Sequence, residues 1–127
     1  MDAVAETRTA RPARLDVMPH RALQLLKSDL GLTARDLAGA LAVDRRTLDR
    51  WTTGRTHPQH EARARLAALL GLRERLLASL GGLEFAREWL KTPSLYLGHL
   101  TPLEVLRAGR PDRVEANLEA FDAGVAL

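Results

Sequence analysis

The chain has 127 residues, which fits one compact domain or two small ones. An apolar fraction of 46% is typical of a globular protein, and a charged fraction of 28% argues against a membrane protein. There is no cysteine, which excludes disulfides and thiolate metal sites and fits a cytoplasmic location. The net charge of +3 is unevenly divided, because residues 1–80 hold 14 Lys and Arg against 9 Asp and Glu, while residues 81–127 hold 5 against 7. The basic part either binds nucleic acid or carries solvated arginines on helix faces.

The first elements follow a tail. Residues 1–18 lack periodicity and are predicted to be flexible. From Pro19 onwards, apolar residues recur at three- and four-residue steps until Gly31, which predicts a helix. Thr33 begins a second helix, with Asp36 completing a capping box.

The middle of the chain predicts two further helices. Asp44 is a good N-cap for a short helix that Gly54 ends. Pro58 suits the first turn of a longer helix, which Gly71 either breaks or bends. Gly81-Gly82 is the clearest boundary in the chain.

Three short helices are predicted after this boundary. The first has an apolar stripe in which Phe85 and Trp89 are expected to hold a small core together. Thr101 opens the second, followed by a proline and a capping glutamate. Asp112 with Glu115 is expected to cap the third, which Gly124 closes. No strand-like alternation is present, so the predicted fold is all-α.

The segment from Ala34 to Thr53 fits a helix-turn-helix. A helix-turn-helix needs a small residue where its two helices touch, and Ala38 stands at that position. It also needs buried apolar residues under the second helix, and Leu48 and Trp51 have the required spacing. Ala42 stands at the turn position that often holds glycine. An ordinary helical hairpin with an arginine-rich face is the alternative.

The second helix of this unit carries the candidate DNA contacts. Its outward arginines are placed to read guanine, and Asp49 either accepts from a cytosine amino group or pairs with a neighbouring arginine. The threonines and the arginine that follows it are placed for phosphates. The predicted DNA-binding residues are Arg45, Arg46, Thr47, Asp49, Arg50, Thr53 and Arg55.

The second part of the chain resembles a known family. Trp89-Leu90, Pro93, Leu97-Gly98 and Thr101-Pro102-Leu103 occur in the order found in the C-terminal domain of the Xre/MbcA/ParS antitoxin family. His99 departs from the family, which often has a second glycine there. With the preceding helix-turn-helix, the resemblance covers about residues 20–127.

The resemblance implies an antitoxin of a type II toxin–antitoxin system. Residues 19–80 would then form an Xre-like DNA-binding domain, and residues 81–127 a toxin-binding domain. The partner would be a RES-domain toxin that degrades NAD, whose active site the antitoxin covers, and the chain would repress its own operon at operator DNA. A homodimer, or a hetero-oligomer with the toxin, is expected.

Residues for toxin contact are predicted from their expected exposure. Phe121 is either core or interface, and the apolar end of the chain is either inserted into a partner or frayed. The candidates are Tyr96, His99, Arg107, Arg110, Phe121, Val125 and Leu127.

Other functions fit less well. The four histidines are scattered, and no phosphate loop, nucleophile with a base, or paired acids is present, so no enzyme, metal site or cofactor is predicted. A stand-alone helix-turn-helix repressor without a toxin, or a pure interaction module, remains the alternative.

Overall fold

The structure is a computed structural model that describes residues 18–124, and these residues contain seven α-helices, one short 3-10 helix and no β-strand. The predicted all-α class is confirmed. The helices are α1 Pro19–Leu30, α2 Ala34–Leu41, α3 Arg45–Thr52, α4 His60–Leu80, α5 Leu83–Leu90, α6 Pro102–Arg107 and α7 Pro111–Asp122, with the 3-10 helix Leu95–Leu97 between α5 and α6. No helix in this part of the chain is long and apolar enough to cross a membrane. The predicted tail lies outside the described residues except for Met18, which directly precedes α1.

Side-chain caps fix where two of the helices begin. The Thr33 hydroxyl accepts from the N–H of Asp36 at 3.1 Å, and the Asp36 carboxylate accepts from the N–H of Thr33 at 2.9 Å. Thr101 and Glu104 form the same reciprocal pair at 3.0 and 2.9 Å. Each capping box satisfies two N–H groups that a helix leaves without partners, so both predicted starts are confirmed.

Two predicted boundaries are wrong in detail. Asp112 does not cap α7, because the helix already begins at Pro111, and its carboxylate instead accepts from Arg110 at 3.1 and 2.9 Å. Pro58 precedes α4 by two residues instead of lying in its first turn. α4 runs unbroken through Gly71, so the glycine does not divide the helix.

One continuous hydrophobic core extends from α1 to α7. The long helix α4 packs against α1, α2, α5 and α7, while α6 packs on α2. The core therefore crosses the predicted boundary at Gly81-Gly82, and the division into domains 19–80 and 81–127 stays a prediction. The largest fully buried side chains are all leucines: Leu23, Leu26, Leu37, Leu41, Leu48, Leu66, Leu69, Leu72, Leu76, Leu90, Leu97 and Leu106.

Candidate functional site

A tight turn sets the direction of α3 relative to α2. Ala42 ends α2 in the left-handed conformation at φ 59°, and its N–H donates to the carbonyl of Gly39 at 3.1 Å. The N–H of Val43 donates to the carbonyl of Ala38 at 3.0 Å. An alanine in this conformation costs about 1–2 kcal/mol, so packing of the two helices must hold the turn closed.

The inner face of α3 anchors it in the core. Leu48 is 1% exposed and Trp51 is 6% exposed, as the sequence predicts. Asp44 caps the helix, because its carboxylate accepts from the N–H of Thr47 at 2.8 Å. This backbone hydrogen bond holds the pKa of Asp44 below its usual value, so the cap is ionised at neutral pH.

The outer face of α3 is basic and open. Arg45, Arg46 and Arg50 are exposed, and none lies within 4.0 Å of a carboxylate oxygen of residues 18–124. Asp49 is also exposed and likewise forms no ion pair in this part of the chain. Five residues line a shallow open depression here: Arg46, Asp49, Arg50, Thr53 and Arg55. Exposed guanidinium groups on one helix face suit a polyanionic ligand.

The threonines of this region are less available than the arginines. Thr47 is half-buried, and its N–H is already used by the cap. The exposed Thr53 turns its hydroxyl back to the carbonyls of Asp49 and Arg50, at 3.1 and 3.2 Å. The arginine groups are therefore the stronger candidates for ligand contact.

A second exposed surface lies on the loop between α5 and α6. The Ser94 N–H donates to the carbonyl of Leu100 at 3.0 Å, and the His99 N–H donates to the carbonyl of Ser94 at 2.8 Å, which closes the loop. Leu97 points into the core, while Leu95, Tyr96 and Leu100 are exposed. His99 is exposed at φ 73°, a conformation that favours glycine.

Two further large apolar side chains are exposed on the helices of the C-terminal part. Phe121 on α7 is 40% exposed, and α7 contacts the 3-10 helix of the loop. Phe85 on α5 is 61% exposed, so the prediction that it holds the small core together is wrong. The core contains Ala86 and Leu90 of α5, and Trp89 is partly buried against the core, which leaves Phe85 at the outer edge of the apolar stripe.

The predicted arginine contacts are already used within the chain. Arg107 is half-buried rather than exposed, and its Nε donates to Oδ1 of Asp36 at 2.9 Å. Arg110 is exposed but forms an ion pair with Asp112 at 2.9 Å. Val125 and Leu127 lie outside the described residues.

Asp36 is the buried partner in the first of these pairs. Burial by itself raises the pKa of Asp36, but the N–H of Thr33 and the Arg107 guanidinium outweigh it, and the net pKa lies below the usual value. The carboxylate is therefore charged at neutral pH although it is only 1% exposed.

Sequence reasoning missed several residues of these surfaces. Leu95 and Leu100 are among them. For Leu95 a signal exists, because a three-residue 3-10 helix with three large apolar side chains can bury only part of them. The pair of Asp36 and Arg107 spans 71 positions and leaves no local pattern.

The comparisons with known proteins point to one group. No model of a protein family matches the chain. The mycobacterial cidal antitoxin MbcA from Mycobacterium bovis and from two strains of Mycobacterium tuberculosis is 31% identical over 96 residues, which cover 76% of this chain and 84% of the relative. A chain in the crystal structure of the M. tuberculosis MbcT–MbcA toxin–antitoxin complex superposes with a TM-score of 0.60 at 28% identity, covering 85% of this chain and 96% of that one.

Proposed function

This chain belongs to the MbcA family of antitoxins, and we propose that it combines toxin neutralisation with repression of its own operon. It is accordingly an antitoxin of a toxin–antitoxin system and not an enzyme. The proposed target is a RES-domain toxin that degrades NAD, whose active site the C-terminal helices cover. The proposed operator contact is a helix-turn-helix formed by α2 and α3.

The arginine face of α3 supports the DNA-binding half of the proposal. Leu48 and Trp51 anchor one side of the helix, so the opposite side is free to enter a major groove. The side chains of Arg45, Arg46 and Arg50 then reach guanine edges. Asp49 accepts from a cytosine amino group, and Thr47, Thr53 and Arg55 contact phosphates.

Salt dependence tests this half directly. A protein that neutralises phosphates releases counterions, so the logarithm of its DNA affinity falls linearly with the logarithm of salt concentration. We expect such a slope for a duplex from the promoter of the operon, and tighter binding there than to a scrambled duplex. A dimer would bind half-sites about 34–36 Å apart. Equal affinity for both duplexes at every salt concentration contradicts the recognition-helix assignment.

The exposed apolar side chains on the C-terminal helices support the toxin-binding half. Large apolar groups left exposed on a surface are often buried in protein interaction sites. We assign Tyr96, His99 and Phe121 to this contact, with Arg110 at its edge. Arg107 stays a proposed contact as well, although its Nε already donates to Asp36. Insertion of Val125 and Leu127 into the toxin cleft rests on the sequence alone.

Co-purification followed by an NAD-consumption assay tests this half. The product of the adjacent gene should bind the chain. It should consume NAD when it is assayed without the chain, and it should not consume NAD when it is in the complex. A truncated chain lacking residues 124–127 keeps Asp122 and its contacts with α4, so it should stay folded and bind promoter DNA normally. Full neutralisation by this truncated chain would reject insertion of the tail. Absence of any toxin-like neighbour would instead favour a stand-alone repressor.

A further inference from the structure

The backbones of α2 and α6 meet at a glycine. A Cβ placed on Gly39 would collide with the carbonyl oxygen of Arg107 and would come within 3.0 Å of its Cα. Both obstacles are backbone atoms, which cannot rotate away. From the other side, Gly109 lies against the carbonyl of Gly39, and a Cβ there would stand 3.4 Å from it. The end of α6 is thus seated directly on the middle of α2.

An ion pair next to this backbone contact also connects α2 and α6. The Nε of Arg107 donates to Oδ1 of Asp36 at 2.9 Å, while Oδ2 of the same carboxylate accepts from the N–H of Thr33 at 2.9 Å. One buried carboxylate therefore joins the start of α2 to the end of α6. Water screens the attraction between Asp36 and Arg107 less than that of a surface ion pair, because Asp36 is only 1% exposed.

The position of α3 depends on α2. α3 packs on α1 and α2, and the turn between α2 and α3 is closed by hydrogen bonds to Ala38 and Gly39. Gly39 is the residue that touches Arg107. A shift of α2 at this glycine is therefore passed to the helix that carries Arg46 and Arg50.

We propose that Arg107 is a positioning residue for sequence-specific DNA recognition: from the C-terminal half, it fixes α2 and through α2 the angle at which α3 meets the groove. The inference rests on the proposed DNA-binding function and extends it to a residue outside the helix-turn-helix. Arg107 acts through Asp36 and touches no base.

The test compares Arg107→Met with Arg75→Met in the full-length chain. Arg75 is a matched control, because it also joins two helices through an ion pair, here with Glu119 and Asp122, at a side-chain exposure of 38% against 36% for Arg107. The probes are a duplex selected from a random pool by the wild-type chain and a scrambled duplex of equal length. Binding is measured at several salt concentrations, below the temperature at which circular dichroism shows any variant unfolding.

Loss of discrimination is the expected result. Arg107→Met should lower the ratio of selected to scrambled affinity about tenfold or more, because a bidentate arginine contact depends on angle as well as distance. Affinity for the scrambled duplex and the salt slope should stay at the wild-type values, since the phosphate contacts remain. Arg75→Met should keep the wild-type ratio, and Arg107→Lys should restore part of it. Gly39→Ala, which separates the same two helices, should lower the ratio as well.

Three results would overturn the proposal in different ways. An unchanged ratio of selected to scrambled affinity in Arg107→Met shows that the position of α3 does not depend on the ion pair between Arg107 and Asp36. Equal loss for both duplexes shows general weakening rather than positioning. A salt slope reduced by about one shows that Arg107 contacts a phosphate itself. If the wild-type chain selects no duplex at all, the proposed DNA binding has failed, and the role of Arg107 fails with it.

Discussion

The outer face of α3 and the surface of the C-terminal helices use charge in opposite ways. The arginines of α3 form no ion pair within residues 18–124, whereas Arg107 and Arg110 are each bound to an aspartate of the same chain. Exposed apolar side chains are concentrated in the C-terminal part instead. Five of the six large hydrophobic side chains exposed in the described residues lie beyond position 81.

The contrast matches the two kinds of partner proposed above. Unpaired cations gain most from a polyanion such as DNA, because they release its counterions on binding. Exposed apolar groups gain most from a protein surface that removes them from water. The experiments below ask whether each surface loses its own binding alone when it is altered.

The largest expected effect concerns the anchor of α3. Trp51→Ala should destabilise the protein by about 3–5 kcal/mol, because it leaves a large cavity under the helix. Urea unfolding measures the loss. Phe85→Ala is the control, since its ring is 61% exposed and should leave the unfolding midpoint nearly unchanged. Similar unfolding curves for Trp51→Ala and the wild type would show that the indole is not part of the core.

The next effect concerns the apolar surface. Phe121→Ala should weaken toxin binding by about 2 kcal/mol, if the ring fills a pocket on the toxin as interface aromatics do. Isothermal titration with the purified toxin measures it, and promoter affinity should not change. Met18→Ala removes an exposed apolar side chain from the start of α1 and serves as the control. Equal toxin affinity in all three proteins would remove Phe121 from the interface.

A comparable but narrower effect is expected on α3. Arg50→Ala should weaken binding to the promoter by about 1–3 kcal/mol, through loss of a base contact. Toxin affinity and thermal stability should stay at the wild-type values. Lys91→Ala removes one positive charge from the exposed end of α5 and controls for net charge. If Lys91→Ala weakens DNA binding equally, the effect is nonspecific and the distinction between the two surfaces is lost.

The smallest expected effect is a pH dependence of stability that arises from the ion pair between Asp36 on α2 and Arg107 on α6. Burial raises the pKa of Asp36, but the N–H of Thr33 and the Arg107 guanidinium together lower it below the usual 3.8. The charged carboxylate therefore stabilises the protein at neutral pH, and this contribution, including the share of Arg107, is lost as the pH falls below 3.8 through the folded pKa. The difference in melting temperature between wild type and Arg107→Met should therefore shrink in acid. A difference that stays constant down to about pH 2.5 would show that the carboxylate is not the partner.

Local signals predicted much of the fold. The caps at Thr33, Asp44 and Thr101 depend on side chains within three residues of the helix start, and all three are confirmed. The burial of Leu48 and Trp51 was predicted from their spacing on one helix face, and it is confirmed too.

The errors arose where local pattern does not decide. The apolar stripe of α5 contains four residues, and the sequence does not show which of them are buried. Packing against α4 and α1 determines that Ala86 and Leu90 face inward while Phe85 does not. Asp112 and Glu115 have the spacing of a cap, but Pro111 already starts the helix. The ion pair between Arg107 and Asp36 could not be predicted either, because residues 71 positions apart share no periodicity.

The glycine at position 39 has a consequence for engineering. Consider a chimera that takes α1–α4 from one relative and the remainder from another. The surface of α2 on which α6 packs would then come from the first relative, and α6 itself from the second. It would accept that helix only with glycine at this position, because a methyl group would strike the Arg107 backbone. The two halves are thus not freely interchangeable, and any graft between relatives must keep this backbone contact.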